Sequence, residues 1–294
     1  MPRMARIAAG GNIYHCINRA NGRATIFHSK SDYEHFQSLL MEGKDLVGMR
    51  ILAYCIMPNH WHLVLYPRND RDLSEFMRWV TTTHVRQRRT RTKSVGQGHL
   101  YQGAYKSFLV QDDTYLIDLI RYVEQNPLRA KLVDNAQDWE WSSLYQRVNQ
   151  TSLNRRLLDS LPTILPSNYL ESVNDILSAS QLRTLRTSVN KCVPYGDASW
   201  VDRKVQEYNL QGVLRPPGRP TFNITPQEIV IKRTPPHFPK ERSATTPPLR
   251  PSLTPSPKAT SSSSRSQCMA PRSLPVTSPT TRATPTPRSM KRSI

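Results

Sequence analysis

The sequence is short of acid. Its 294 residues hold 41 Lys and Arg against 22 Asp and Glu, a formal charge of +19. Such a surface favours a polyanionic partner, and nucleic acid is the default. Cysteine is scarce as well. Cys16, Cys55, Cys192 and Cys268 lie far apart with no Cys-x-x-Cys pair, which argues against a zinc ribbon. Cys16 and Cys55 sit in apolar contexts and are expected as buried free thiols, as in a reducing compartment. Long apolar runs are missing: nothing approaches the ~18 residues of a membrane span. The opening Met-Pro-Arg-Met-Ala-Arg lacks the apolar stretch of a signal peptide, so no leader is expected. No internal repeat is present.

Apolar residues make up only 37% of the chain. Much of that deficit falls at the end. From Arg233 to Ile294 there are 11 Lys and Arg against one acid, Glu241, with 13 of the 24 prolines and a serine run, Ser261–Ser264. Such a segment cannot bury enough apolar surface to offset its ordering entropy, so residues 223–294 are expected as a disordered basic tail. The tail carries +10 (11 − 1), leaving +9 on the rest.

The remainder reads as alternating strands and helices. Asn12–Arg19 is a candidate strand, and a serine-capped helix follows to about Val47. Arg50–Met57 and His60–Tyr66 are strands joined by a Pro58-Asn59 turn. Leu73 to about Thr92 is helical, Tyr105–Val110 a fourth strand, and Asp112–Asn126 a third helix with Pro127 beyond its end. The order βαββαβ plus a helix implies an α+β, ferredoxin-like antiparallel sheet with helices packed on it, over residues 1–150. Residues 151–222 read as a helical extension. Its candidate helices, Asp175–Asn190 and Ala198–Leu210, flank a Pro194–Asp197 turn and either contact DNA or pack on the first domain.

Two stretches carry the chemistry. In Pro58-Asn59-His60-Trp61-His62-Leu63, strand alternation puts His60 and His62 on one face, where two imidazoles can share a metal ion. In Arg121-Tyr122-Val123-Glu124-Gln125-Asn126-Pro127, helical spacing puts Tyr122 and Asn126 on one side, one turn apart. Each has a plainer reading: structural histidines, a packing tyrosine, an Asn-Pro stop. Taken together on a basic chain, a metal site and a phenol point to phosphodiester chemistry on nucleic acid.

These residues also resemble a family. Pro-Asn-His-Trp-His-Leu followed by Tyr-Val-Glu-Gln-Asn-Pro-Leu-Arg-Ala is similar to the single-tyrosine HUH transposases of IS200-like type, most closely the REP-associated tyrosine transposases. Tyr14-His15-Cys16-Ile17-Asn18-Arg19, Gly98-His99-Leu100-Tyr101-Gln102-Gly103, Tyr105-Lys106-Ser107-Phe108 and Trp139-Trp141-Ser142-Ser143 extend the likeness. It covers roughly residues 8–147 and continues loosely to Pro220. The resemblance implies the same ferredoxin-like fold. It implies that Tyr122 is the nucleophile, forming a 5′-phosphotyrosine with single-stranded DNA and freeing a 3′-OH. It assigns His60, His62 and Asn126 as ligands of Mg²⁺ or Mn²⁺, imidazole favouring the latter. The implied substrate is single-stranded or stem-loop DNA from short palindromic repeats. A monomer is implied rather than a dimer, as is a cytoplasmic, nucleoid-associated bacterial setting. Three rivals stay open at the site: Tyr115 as nucleophile, Gln125 as ligand, and Asp118 as a group orienting Tyr122. A hairpin-binding protein that does not cleave and an initiator- or relaxase-type endonuclease are the alternative functions.

The densest basic run of the folded part is Arg86, Arg88, Arg89, Arg91 and Lys93. It reads as a set of DNA phosphate contacts or as a solvated helix end. Trp79, Tyr101 and Tyr105 either stack unpaired bases or belong to the core. Leu214-Arg215-Pro216-Pro217-Gly218-Arg219-Pro220 resembles an AT-hook core with one arginine replaced; Arg219 then enters a minor groove, unless the segment is a plain linker.

Overall fold

The computed structural model describes residues 6–175 and 177–214. Arg219 and the expected tail, 223–294, lie outside the described residues. Four strands, β1 (Ile13–Arg19), β2 (Arg50–Met57), β3 (His60–Tyr66) and β4 (Lys106–Val110), form one antiparallel sheet in the order β2-β3-β1-β4. This is the expected α+β arrangement, with helices on the sheet. The helices are α1 (Lys30–Val47), α2 (Asp72–Arg91), α3 (Thr114–Glu124), α4 (Asn126–Arg129), α5 (Ser143–Val148), α6 (Ser152–Leu157), α7 (Tyr169–Asn174), α8 (Ala179–Lys191) and α9 (Ala198–Glu207).

Both faces of the sheet are covered, so alternation in β3 sorts residues between two interiors rather than between core and water. Trp61, Leu63 and Leu65 join Tyr14, Phe36, Leu40, Phe76 and Val80 beneath α1 and α2. Val64 joins Ala53, Cys55, Phe108, Leu116, Ile120, Tyr122 and Val123 beneath α3. Cys16 and Cys55 are buried free thiols. Helix α1 starts where the Asp32 carboxylate accepts from the backbone N–H groups of His28 (3.0 Å) and Ser29 (3.2 Å), and it stops at Gly48, whose φ of 71° suits a residue without a side chain.

Three expectations are sharpened. Pro127 does lie beyond the third helix, but that helix stops before the expected Asn126 and a further helix begins there. Helix α3 ends at Glu124, and Pro127 sits in the first turn of α4, where its missing N–H costs nothing. The chain therefore turns back and carries Arg129 toward Tyr122. Residue 150 is also no seam: Leu157 enters the core under α1 and α2, and Tyr169, Val173, Leu177, Leu185 and Tyr195 enter the core under α3. The described extension is thus packed on the sheet domain as part of it. Finally, Tyr101 and Tyr105 are buried and Trp79 packs against the core. The Tyr101 hydroxyl accepts from Trp61 Nε1 (3.0 Å) and pairs with His84 Nδ1 (2.7 Å). Tyr101 and Tyr105 thus follow the core reading, and Trp79 is half-buried against it.

Candidate active site

The strand register assembles one half of the site. In the β1–β3 pairing, Arg19 lies opposite His60 and Ile17 opposite His62. His15, Arg19, His60 and His62 consequently share the sheet face that α3 covers. The His60 and His62 rings are 5.1 Å apart, centroid to centroid. Helix α3 supplies the other half: the Tyr122 ring stands edge-on to His62 with centroids 6.1 Å apart. Asn126, one turn later, is held by its own helix end. Its Nδ2 donates to the carbonyls of Tyr122 (3.0 Å) and Val123 (3.1 Å), and its Oδ1 accepts from Arg129 Nη2 (2.6 Å). The Arg129 guanidinium lies 4.1 Å over the centre of the Tyr122 ring. His60, His62 and Tyr122 therefore lie together, Asn126 sits one turn after Tyr122 and is tied to Arg129, and all four are buried.

The histidines are neutral. Burial, reinforced by the charges of Arg19 and Arg129, pushes His60 down to about 4. Burial, then His15, His60 and the same two arginines, hold His62 well below the usual imidazole range. Burial alone takes His15 to about 3. A neighbour fixes the free nitrogen of His60, and the tautomer of the His15–His62 pair sets that of His62. His60 Nδ1 is 2.7 Å from the Asn59 side-chain oxygen, to which it donates, leaving the Nε2 lone pair unused. His62 Nδ1 is 2.9 Å from His15 Nε2. With His62 donating and His15 accepting, His62 Nε2 is free as well. Two neutral imidazole lone pairs plus the spare lone pair of Asn126 Oδ1 are a fitting donor set for a divalent cation. His15 and Asn59 supply the hydrogen bonds that orient the two imidazoles, as a metal ligand would require. Among the described residues no group of three or more His, Cys, Asp or Glu is gathered to hold a metal. A cation here would rest on the two histidines and the amide.

The rivals are placed elsewhere. Tyr115 packs edge-on to Tyr195, with ring centroids 5.2 Å apart. Gln125 turns away and donates to the carbonyls of Val173 (2.9 Å) and Asp175. Asp118 is raised by burial and faces Arg121 and Gln181 of α8 instead of orienting the phenol. Glu124 anchors the end of α3: fully buried, it accepts from Tyr169 Oη (2.7 Å), Ser143 Oγ and Arg147.

The basic run separates into different tasks. Arg88 pairs with Asp32 at 3.8 Å and Arg91 pairs with the same carboxylate. Arg89 donates to the carbonyls of Gly98 (2.9 Å) and Ser94 (3.3 Å), closing the loop after α2. These three are therefore occupied in the fold, a correction to the reading of all five as phosphate contacts. Arg86 lines an open groove of about 800 Å³ together with Arg6, Arg78 and His99. Lys93 is exposed at a positive φ of 49°.

Sequence reasoning did not single out His15, Asn59, Arg19 or Arg129 as parts of the site. Strand alternation could have put His15 and Arg19 on one face of β1. Nothing local said which strand lies beside it.

Residues 10–126 match the family model described as transposase IS200 like. A Haemophilus influenzae protein named as a REP-associated tyrosine transposase is 27% identical over 128 residues, covering 40% of this chain and 72% of that one. A solved structure of a REP-associated tyrosine transposase bound to a REP hairpin aligns with a TM-score of 0.44 and 17% identity, over 57% of this chain and 100% of that one. A candidate transposase of Deinococcus radiodurans aligns with a TM-score of 0.30 and 19% identity, over 42% of this chain and 96% of that one.

Proposed function

Residues 10–126 belong to the IS200-like transposase family, and on that premise we propose that this chain is a metal-dependent tyrosine transposase. It cleaves and rejoins single-stranded or hairpin DNA of the palindromic-repeat type, as the name of the H. influenzae relative suggests. The observation that carries the reading is the meeting of a phenol from α3 with two neutral histidines from β3, 6.1 Å from His62 ring to Tyr122 ring.

In this reading Tyr122 Oη attacks the phosphorus of the scissile linkage. The bond from phosphorus to the 3′ oxygen breaks, the phenolic proton passes to solvent, and the departing oxygen takes up a proton to become a 3′-OH. The product is a 5′-phosphotyrosine, and attack by a 3′-OH reverses the step on the same or another strand. His60 and His62 would hold a divalent cation through their imidazole nitrogens, with the Asn126 amide oxygen as the third ligand. When bound, Mg²⁺ or Mn²⁺ supplies a Lewis acid to the phosphoryl oxygens. The Arg129 guanidinium, 4.1 Å over the centre of the phenol ring, braces that ring in place. All of these side chains come from one chain, so the monomer is the working unit.

The test is incubation with stem-loop DNA from the host's own palindromic repeats and Mn²⁺, followed by denaturing electrophoresis. A covalent protein–DNA band that needs the metal and disappears in Tyr122→Phe is expected. Hairpin binding without any adduct would make the chain a non-cleaving hairpin binder.

A further inference from the structure

Two arginines flank the buried histidines and the phenol, and neither is matched by a carboxylate among the described residues. Arg19 enters from β1, directly across from His60. Its buried Nε has no hydrogen-bond partner. Arg129 enters from α4 over the Tyr122 ring, spends Nη2 on Asn126, and leaves a buried Nη1 without a partner. Both charges reach both histidines, where they oppose protonation. Arg186 of α8 adds a further positive charge that acts on Arg129.

Both side chains are half-buried, and a buried donor nitrogen left without a partner is costly; folded proteins answer nearly all such donors. A fork of donors left open beside a nucleophile fits a ligand with paired anionic oxygens, which is the geometry of a phosphodiester. Access exists on the Arg19 side, which borders an open groove of about 390 Å³ lined also by Gln102, Lys106 and Asn190.

We propose that Arg19 and Arg129 form a clamp on the scissile phosphate, donating to its non-bridging oxygens from two sides of Tyr122. The inference rests on the tyrosine-transfer reading and deepens it. As Tyr122 Oη adds to phosphorus and the 3′ oxygen departs with its electron pair, negative charge gathers on those oxygens. The two guanidinium groups meet that charge, and neither gains nor loses a proton. This gives the arginines a role in the transition state, separate from holding the cation or the hairpin.

The experiment uses the full chain and a stem-loop oligonucleotide whose scissile phosphate has been mapped from the adduct. Arg19→Gln and Arg129→Gln are compared with wild type in single-turnover cleavage. The substrates are the natural linkage and the two methylphosphonate diastereomers at that position, each lacking one anionic oxygen. Each variant is expected to slow cleavage by about 10²-fold to 10³-fold. Hairpin affinity should stay within about threefold in both, and Mn²⁺ binding, followed by electron paramagnetic resonance, should stay within about threefold in Arg19→Gln. The methylphosphonate penalty seen in wild type should shrink in the variants, because clamp and oxygen are one interaction. Penalties that simply add would show that the arginines do not touch this phosphate. Loss of Mn²⁺ affinity in step with rate in Arg19→Gln would make them ligand-positioning groups, and loss of hairpin affinity alone would make them binding residues; either overturns the clamp. Arg129→Gln also loosens Asn126, so Arg19→Gln, which touches no other site side chain through a hydrogen bond, decides if Arg129→Gln unfolds. A wild-type protein that forms no adduct on any repeat hairpin refutes the tyrosine-transfer reading itself, and the clamp with it.

Discussion

The two faces of the sheet solve opposite problems with the same strands. Under α1 and α2, buried polar groups find one another: Trp61 and His84 share the Tyr101 hydroxyl, and Gln37 donates to Tyr54 Oη at 2.9 Å. His84 also stacks on Phe27, ring centroids 5.3 Å apart. Under α3, by contrast, His15 Nδ1, Arg19 Nε and Arg129 Nη1 are buried without partners. Unpartnered atoms occur on the first side too, at His35 Nε2, Gln87 Oε1 and Tyr105 Oη; what sets the α3 side apart is that three of them belong to residues beside the histidine pair and the phenol. Adjacent residues of β3 therefore have different fates, although His60, Trp61 and His62 are all buried.

The strongest break in the comparison is Tyr122→Phe. It is expected to abolish the covalent adduct while hairpin affinity stays within about threefold, because only one oxygen leaves. An adduct that persists in Tyr122→Phe and vanishes in Tyr115→Phe would move the nucleophile to Tyr115.

Next come neighbouring truncations on β3. His62→Ala should lose metal-dependent cleavage and Mn²⁺ binding. Trp61→Ala should lower folding stability by about 3–5 kcal/mol through the cavity it leaves. Denaturant midpoints and Mn²⁺ titrations of the two variants separate the faces. Equal stability losses with intact Mn²⁺ binding in His62→Ala would show that the histidine is only packing. Asn126→Ala should be milder than either histidine change, about tenfold in rate, since water can replace one oxygen ligand.

Acid sharpens the contrast by a smaller amount. His60 sits at about 4 in the fold against 6.5 when free. Its folded value is the lower one, so the unfolded chain binds more protons between these limits. Stability is therefore full above pH 6.5 and falls as pH drops toward 4. Urea unfolding across that window should show the decline, and His60→Gln should flatten it. An unchanged slope would mean that His60 is not buried as a neutral ring.

The smallest effect is expected at the basic helix. Arg86→Ala should reduce the dependence of hairpin affinity on salt by about one phosphate contact. Arg88→Ala should leave that dependence unchanged, because its charge already faces Asp32 at 3.8 Å. Equal salt slopes for Arg86→Ala and wild type would remove the groove from the DNA path.

Much of this molecule was legible locally. The sheet and the first helices follow from alternation, caps and turn residues. His60 with His62 and Tyr122 with Asn126 follow from the periods of strand and helix, which are properties of a few consecutive residues. That the two pairs meet came from resemblance rather than from any local rule. The basic run shows the limit from the other side: five similar charges in a row gave no sign that Asp32, more than fifty residues earlier, would take two of them.

Sequence alone determined the fold class and both halves of the candidate site, because backbone period and short-range chemistry fix which side chains share a face. Tertiary structure decided the rest. The register of β1 against β3 set His15 behind His62 and Arg19 beside His60, and the turn into α4 laid Arg129 over Tyr122. Strand neighbours and the path of the chain after a helix depend on how distant apolar faces pack together, and no window of sequence contains that information.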